Sequence, residues 1–276
     1  MSDTFDIIIV GGGAAGTSAA VTALNRGKTV AVVTNPVDTT ALYKAERVTN
    51  YPGFAEITGA ELATRFRDQL DASGAQIIAG RALSVTPLGD SFGVAVGNDF
   101  YMSSAVILAV GITRANLYPG EERLLGRGVS YCATCDGMLY RGKTVAVIGS
   151  TREAHEDADF LESIGCSVLR FADSRRYEIR GEERVNALVA DATEYSVDAV
   201  FIIKESIKLT RLVPGLETVA SGIVADKSGA TNIPGVFAAG DCAGKPYQLA
   251  KATGEGNIAA LAACEYIAAK TDKNIK

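Results

Sequence analysis

Residues 5–16, FDIIIVGGGAAG, decide the fold of this chain. The first six of these residues are apolar at five positions and predict a buried strand, and the glycines that follow have the spacing Gly-x-Gly-x-x-Gly. A helix of small residues extends from them to about Asn25, and a second apolar strand, 29–33, comes directly after it. This order of strand, turn, helix and strand is typical of a doubly wound α/β domain that binds a dinucleotide.

Each glycine of the motif has a separate task in such a turn. Gly11 permits the tight turn, Gly13 lets the backbone approach a pyrophosphate, and Gly16 lets the helix pack close to the strand. The helix N-terminus then faces the phosphates. An acidic ribose partner is expected about 20 residues later, but the second strand ends in Thr34 and Asn35, of which Asn35 can still bond a hydroxyl. Tight packing alone is the alternative explanation of these glycines.

Length and composition predict a globular protein of two ordinary domains. The chain has 276 residues, 47% of them hydrophobic, which is ample for well-buried cores. No window approaches the roughly 18 apolar residues of a membrane span, and no basic segment precedes the first apolar run, so we expect a cytoplasmic protein with no membrane partner. The net charge is −5 without a basic block, which argues against nucleic acid as a partner.

A second strand-turn-helix unit begins at Lys143. Because the chain then returns to glycine-rich strand text that ends at Asp241, the sequence predicts an α/β fold of two Rossmann-like doubly wound domains. The second is inserted in the first and reduced in size: the outer domain takes residues 1–113 and 217–276, and the insert takes 114–216. The predicted elements are helices at 56–73, 152–164 and 254–269, strands at 76–79, 81–86, 92–97, 144–148, 166–171 and 199–203, and a buried strand from Ala105.

Two of the five cysteines, Cys132 and Cys135, lie two residues apart in the loop-rich stretch 114–142. This spacing lets the sulfurs meet in one turn and form a small disulfide that opens by exchange. Half of a zinc site is the alternative, but the chain has one histidine and its other cysteines are distant in sequence, so we predict a redox pair and no metal. The remaining three, Cys166, Cys242 and Cys264, are interpreted as packing residues.

Together these segments resemble the low-molecular-weight thioredoxin reductases, which are flavin disulfide reductases. The segments that carry the resemblance lie at both ends of the chain and in the cysteine loop, but not in residues 150–216. They are GGGAAG at 11–16, NYPG at 50–53, AVG at 109–111, GVSYCATCDG at 128–137 and GVFAAGD at 235–241.

The resemblance implies FAD as the cofactor. It implies that Gly11, Gly13 and Gly16 hold the FAD pyrophosphate and that Asp241 bonds the ribityl or phosphate end of the flavin. The closing helix would aim its N-terminus, near Gly254, at the flavin ring, where its partial positive charge stabilises the reduced flavin anion. Val110 stands where the family has threonine and removes one polar contact. The other positions assigned to the cofactor are Ala14, Ala15, Asn35, Asn50, Gly111, Gly240, Gln248, Leu249 and Ala250.

The resemblance also assigns roles around the cysteines. Cys132 would attack the protein substrate, Cys135 would face the flavin, and Asp136 would protonate the leaving thiolate, although a loop or cap carboxylate is the alternative for Asp136. The substrate implied is thioredoxin or a thioredoxin-like protein, and the implied assembly is a homodimer.

The second turn departs from the NADPH site of the family. It places Thr151 where the backbone must approach the pyrophosphate and Glu153 at the helix start, both of which disfavour a phosphate. The next strand is followed by Asp173, where NADPH binders have arginines, although Arg175 and Arg176 could restore that contact. The later strand is followed by Lys204 and Glu205 rather than glycine.

These departures resemble the ferredoxin-dependent flavin thioredoxin reductases, a branch that lacks the nicotinamide site. Reduced ferredoxin is therefore the predicted donor, and a one-electron donor suits flavin. Ferredoxins are acidic, so a basic docking patch is expected, for which Arg123, Arg127, Arg141 and Lys143 are candidates or else ordinary surface charges. Two alternatives stay open: an NADPH or NADH enzyme with an altered site, and a non-catalytic flavoprotein whose cysteines bind metal.

Overall fold

A computed structural model describes residues 3–112, 118–131, 133–150, 152–172, 176–203, 209, 212–219 and 222–274. The side chains of Cys135, Glu153 and residues 271–274 lie outside this description. Within the part of the chain that is described, no helix has the length and apolar character needed to cross a membrane.

The first hundred residues build most of a seven-stranded sheet. Their elements are β1 (Thr4–Val10), α1 (Ala14–Asn25), β2 (Val30–Thr34), α2 (Ala41–Lys44), α3 (Gly59–Ala72), β3 (Gln76–Ala79), β4 (Ala82–Leu88), β5 (Ser91–Val96) and β6 (Asp99–Leu108). The strand order is β3-β2-β1-β6-β5-β4, parallel from β3 to β6 and antiparallel through β5 and β4. Ile7, Ile8 and Ile9 are fully buried, as expected for a strand that is covered on both faces.

The middle of the chain forms two further sheets. Its elements are α4 (Glu121–Leu124), β7 (Val129–Ser130), α5 (Ala133–Asp136), β8 (Thr144–Ile148), α6 (Arg152–Ser163), β9 (Ser167–Phe171), β10 (Tyr177–Arg180), β11 (Ala187–Ala190), β12 (Thr193–Ser196) and β13 (Ala199–Ile202). A parallel sheet has the order β7-β13-β8-β9, and β10-β11-β12 form an antiparallel meander that the sequence reading did not predict.

The last segment completes the large sheet. Its elements are β14 (Thr218–Val219), β15 (Gly222–Ile223), β16 (Val236–Ala238) and α7 (Leu249–Asn274). Strand β16 pairs in parallel with β6, along the half of β6 that β5 leaves free. The two sheets and the doubly wound α/β architecture agree with the predicted fold class. We call residues 118–203 the inserted lobe and the rest of the described chain the large lobe.

The carboxyl ends of four parallel strands meet at one edge of the large sheet. Val10 is in register with Val33 of β2 and with Leu108 of β6, and Leu108 is in register with Ala238 of β16. The segments that follow these strands therefore lie side by side, and the crevice outside the carboxyl ends of such a sheet is where α/β folds bind ligands.

Helix α7 begins earlier than the sequence reading predicts. The expected start was near Gly254, but the helix begins at Leu249 and continues through both Gly254 and Gly256. These glycines look like a helix boundary in sequence because glycine is a poor helix former. At Gly256, however, an added Cβ would lie 2.1 Å from the carbonyl oxygen of Ala15, so glycine is required there for close packing of α7 on α1.

The predicted domain boundaries stay a prediction, since residues 113–117 lie outside the described chain. On the predicted inserted side, Leu209, Val213 and Leu216 pack in the core of the large sheet, and the backbone N–H of Val85 donates to Leu212. A boundary consistent with this packing lies before Leu209.

The two lobes touch through charged and tightly packed residues. Lys245 of the large lobe binds both carboxylate oxygens of Asp157 in α6, at 2.9 and 3.0 Å. On another side Arg184 pairs with Glu46, and a Cβ at Gly126 would lie 2.1 Å from the carbonyl oxygen of Lys44. These contacts fix the inserted lobe against the large one.

Candidate functional site

The glycine-rich turn after β1 forms an open cradle at the sheet edge. Gly11 has φ +113° and its added Cβ would lie 2.1 Å from the carbonyl oxygen of Ala109, which follows β6. At Gly16 a Cβ would lie 1.8 Å from the carbonyl oxygen of Gly11. Gly13, the N-cap of α1, has no atom within 4 Å of such a Cβ, so the space before the helix is open. The first and third glycines are thus required by packing, whereas the second leaves room for a ligand.

Ala15 joins the cradle to the turn that follows β16. Ala14 and Ala15 are buried in the first turn of α1. A Cβ at Gly240, where φ is +80°, would lie 2.9 Å from the Cβ of Ala15, and Gly256 of α7 packs on the carbonyl of the same alanine. Positions that are far apart in sequence therefore converge on one point beside the cradle.

Asp241 lies in the 3-10 turn Gly240–Ala243, directly after β16. Burial raises the pKa of its carboxyl from 3.8 to about 6; the nearby ammonium of Lys251 opposes this shift and Glu255 adds to it. Among the described residues, no side chain or backbone group donates a hydrogen bond to this carboxylate. A largely buried acceptor without a donor is suited to a ligand hydroxyl.

Two further predicted residues form a direct contact. The side-chain nitrogen of Asn50 donates to the side-chain oxygen of Gln248 at 3.1 Å, which joins the segment after α2 to the start of α7. Leu249 packs against buried residues from both sides of this contact, and Ala250 is exposed in the first helical turn. The first N–H groups of α7 are therefore presented beside Ala250.

Three predicted positions lie at the ends of strands. Gly111 follows β6 with φ +65° and open space around it. Asn35 is exposed after β2, and its carbonyl accepts a bond from the Thr34 hydroxyl at 3.1 Å. Val110, between the two strand-end segments, packs against the core of the large sheet.

The residues present fit FAD. The open cradle at Gly13 stands before the N-terminus of a twelve-residue helix, an arrangement that binds pyrophosphate. The free acceptor at Asp241 fits a ribityl hydroxyl, and both features lie along the same sheet edge. Except for Gly254, the predicted cofactor residues are thus found at or next to the ends of β1, β2, β6 and β16, or at the start of α7.

The cysteine loop begins at the carboxyl end of β7. Cys132 lies outside the described residues, and Cys135 is placed by its backbone in the short helix α5. Asp136 follows, and its Oδ2 accepts a hydrogen bond of 2.6 Å from the Ser130 hydroxyl. Burial raises the pKa of Asp136, while the bond from Ser130 lowers it. The net effect favours a protonated carboxyl next to the predicted redox pair.

A buried carboxylate holds the entrance of this loop. Glu121 is fully buried, accepts the backbone N–H of Tyr118 at 2.8 Å and accepts the Tyr131 hydroxyl at 3.0 Å. On the far side of the loop, burial and the neighbouring charges of Asp136 and Asp198 raise the pKa of Tyr140 to about 12. This tyrosine therefore stays neutral.

The other three cysteines are packing residues, as interpreted from sequence. Cys242 is buried, and its Sγ donates to the carbonyls of Leu108 and Ala239 at 3.2 and 3.3 Å. Burial raises its pKa to about 11. Burial likewise raises the pKa of Cys166, whose thiol donates to Tyr140, and of Cys264 in α7. Thiols with raised pKa values are poor nucleophiles.

The turn after β8 keeps the packing of the first turn. An added Cβ at Gly149 would lie 2.4 Å from the carbonyl oxygen of Ile203 and 2.5 Å from the Cβ of Ala154. Arg152 opens α6 as an exposed side chain paired with Glu156 at 2.7 Å. The predicted departures at Thr151, Asp173, Arg175, Lys204 and Glu205, and the side chain of Glu153, lie outside the described residues.

The four basic candidates do not form one patch beside the cysteine loop. Arg127 and Lys143 precede β7 and β8 at the amino edge of the small sheet, with Asp198 between them, and Lys143 pairs with Asp198 at 3.4 Å. Arg141 precedes Lys143, whereas Arg123 donates to the Glu182 carbonyl at 2.9 Å. Since β7 leads into the cysteine loop from its carboxyl end, this amino edge lies at the opposite end of the strands.

The sequence reading missed Lys251, Glu255, Glu121 and Ser130. Lys251 and Glu255 have the i,i+4 spacing of a helical ion pair, which was a usable signal, but their contact with the turn at Gly240 depends on the fold. Glu121 and Ser130 carried no such signal, because burial of a polar side chain cannot be read from its neighbours in sequence.

Known proteins resemble the chain along nearly its whole length. A family model described as pyridine nucleotide-disulphide oxidoreductase matches residues 5–176 and 170–256. A thioredoxin reductase from Treponema pallidum (strain Nichols) is 33% identical over 302 residues, covering 97% of this chain and 98% of that protein.

Two solved structures extend the comparison. A ferredoxin-flavin thioredoxin reductase from Clostridium acetobutylicum is 38% identical with a TM-score of 0.63, and covers 98% of this chain and 99% of its own. A thioredoxin reductase from Streptococcus pyogenes MGAS5005 is 27% identical with a TM-score of 0.83, and covers 98% and 100%. The chain therefore belongs to the pyridine nucleotide-disulphide oxidoreductase family and is a thioredoxin reductase-like flavin disulfide oxidoreductase.

Proposed function

We propose that this chain reduces thioredoxin or a thioredoxin-like protein through FAD and the Cys132–Cys135 disulfide, with reduced ferredoxin as its electron donor. The observation that carries the choice of donor is the contrast between its two strand-turn-helix units. The first has an open glycine at the helix N-cap, Gly13, whereas the second has Thr151 in its sequence at the equivalent position. A branched side chain there opposes close approach of a pyrophosphate.

Charge at the second turn supports the same proposal. Glu153 stands in the first turn of α6, where a carboxylate repels a phosphate. The single arginine at this helix start, Arg152, is paired with Glu156. The similarity to the ferredoxin-flavin thioredoxin reductase of Clostridium acetobutylicum, at 38% identity, is a further support.

The chain's own residues supply binding and proton transfer. When bound, FAD would supply the passage of electrons from donor to disulfide. The N-terminus of α1 at Gly13 would hold the pyrophosphate, and Asp241 would accept a hydroxyl. Complete reduction of a disulfide to two thiols takes up two electrons and two protons, and Asp136 would deliver one proton to the thiolate that leaves when the bridge opens.

An NADPH enzyme with an altered site is the second candidate. Arg176, near the end of β9, is exposed and has no ion pair within the described residues, so it is free to meet a 2′-phosphate. A homodimer and a docking patch for the donor stay predictions.

Anaerobic stopped-flow reduction of the yellow protein by NADPH, NADH and reduced ferredoxin, in parallel, tests the donor. We expect the flavin absorbance to bleach rapidly with ferredoxin and to persist with both nucleotides. Rapid bleaching by NADPH overturns the choice of ferredoxin and favours the second candidate.

The disulfide step needs its own test. Replacing both Cys132 and Cys135 with serine should abolish thioredoxin reduction, while Cys264→Ser, a change at a half-buried thiol in α7, should preserve it. A double variant that still reduces thioredoxin contradicts the proposed relay. Bound zinc together with no reducible disulfide would instead favour a non-catalytic flavoprotein.

A further inference from the structure

Lys251 and Glu255 of α7 grip the turn that carries Asp241. The Lys251 ammonium donates to the carbonyls of Gly240 and Gly244 at 3.1 and 2.6 Å, and pairs with the Glu255 carboxylate at 2.9 Å. The same carboxylate accepts the backbone N–H of Gly240 at 2.9 Å. One i,i+4 pair thus holds the N–H and the carbonyl of a single residue, and the end of the turn as well.

This arrangement leaves Asp241 available. An ammonium has three protons to donate, and the two carbonyls and Glu255 take all three. Lys251 therefore attracts the Asp241 carboxylate without bonding it. The Lys251 side chain is only 17% exposed, so its contacts form in a medium where charged hydrogen bonds are strong.

The turn needs such support. Gly240 has φ +80° and Gly244 has φ +106°, both in the region that favours glycine, so the backbone on either side of Asp241 is held in conformations of high entropic cost. Gly240 also packs on Ala15 of the cradle helix, so a shift of this turn would move Asp241 relative to the cradle.

We propose that Lys251 and Glu255 are positioning residues that hold the Gly240–Gly244 turn, and with it Asp241, in the geometry that binds FAD. The inference rests on the proposed FAD site. It assigns to an ion pair outside the glycine motifs a part of the cofactor affinity.

The test measures FAD dissociation after dilution of the holoenzyme, from the fluorescence of released FAD. Lys251→Met should weaken FAD binding roughly tenfold or more, since it removes three charged hydrogen bonds. Glu255→Gln keeps an acceptor for Gly240 and should weaken binding less. Lys270→Met removes a lysine of the same helix that pairs with Asp90, and should leave FAD affinity unchanged.

The pH dependence of FAD affinity separates positioning of Asp241 from general helix stability. The ionisable groups around this carboxyl are Lys251, Glu255 and the neighbouring thiol of Cys242, which stays neutral. The midpoint should move to higher pH in Lys251→Met, which loses a cation, and to lower pH in Glu255→Gln, which loses an anion.

Each outcome decides between the claims. Unchanged FAD affinity in Lys251→Met, or midpoints that are absent or move in the same direction, overturns the positioning role. A wild-type protein that holds no FAD overturns the proposed function instead.

Discussion

Asp241 combines a cost in stability with a predicted role in binding. Because burial raises its pKa from 3.8 to about 6, the folded protein binds this proton more tightly than the unfolded chain. The flavin-free protein therefore loses stability as pH rises from about 4 to about 6, by at most about 3 kcal/mol, and does not regain it above that range.

Asp241→Asn should remove this loss. We expect the flavin-free variant to be more stable than flavin-free wild type at pH 7.5 and similar to it near pH 4, because the amide cannot ionise. Urea denaturation at the two pH values measures the difference. The same variant should bind FAD more weakly, since an amide is a poorer acceptor than a carboxylate. Equal stability at pH 7.5 would contradict the raised pKa.

Ser130 offers a prediction for the proposed acid. Its hydroxyl bonds the ionised form of Asp136 at 2.6 Å and so lowers the pKa of that carboxyl. Ser130→Ala should let Asp136 keep its proton to higher pH, and the alkaline limb of the pH profile for thioredoxin reduction should move upward. Ser163→Ala, which removes a hydroxyl bonded to a helix carbonyl in the same lobe, is the control. An unmoved limb argues against Asp136 as the acid.

Sequence reveals single residues better than their partners. The glycines of the cradle and Asp241 were predicted because each motif fixes a local backbone shape. Asn50 and Gln248 were both predicted, yet their mutual bond, across nearly two hundred residues of chain, was not. Lys251 was missed because its role depends on a turn that is distant until the chain folds.

At the scale of elements, the two glycines of α7 should respond in opposite ways to the same substitution. Gly254→Ala adds a methyl into open space and should stabilise the flavin-free protein by about 1 kcal/mol through helix propensity. Gly256→Ala drives a methyl to 2.1 Å from the Ala15 carbonyl and should destabilise it by about 1–3 kcal/mol. Chemical denaturation of both variants measures these effects, and equal effects would contradict the packing of α7 on α1.

The elements themselves were predicted unevenly. Strand β1, α1 and β2 follow from a strong apolar pattern and a glycine motif, and α6 from its apolar spacing. The meander β10-β11-β12 was missed because its strands are four residues each, too short for a periodic signal. The start of α7 was wrong because Gly256 satisfies a tertiary contact rather than a local preference.

At the scale of the whole molecule, Lys245 and Asp157 hold the lobes together. Asp157 is 5% exposed and Lys245 supplies its cation, so Lys245→Met leaves a buried carboxylate without that partner. We expect a loss of at least about 2 kcal/mol in the free energy of unfolding, below the roughly 3–5 kcal/mol of fully buried pairs because Lys245 is partly exposed.

An exposed pair across the same two lobes provides the control. Lys44→Ala breaks a contact of 3.4 Å with Glu122, whose side chain is 71% exposed, and should cost less than about 1 kcal/mol. Denaturation of both variants, with small-angle scattering to detect separation of the lobes, makes the comparison. Similar losses in the two variants would show that Asp157 is not a principal contact.

The order of the strands has a consequence for synthesis on the ribosome. Strand β16 and helix α7 close the large sheet beside β6 and β1, yet they emerge from the exit tunnel last, after the whole inserted lobe. A nascent polypeptide can therefore finish the small sheet before the flavin crevice exists, and cofactor loading must follow translation. Prematurely terminated chains would stay colourless, so yellow absorbance reports only molecules whose synthesis has reached α7.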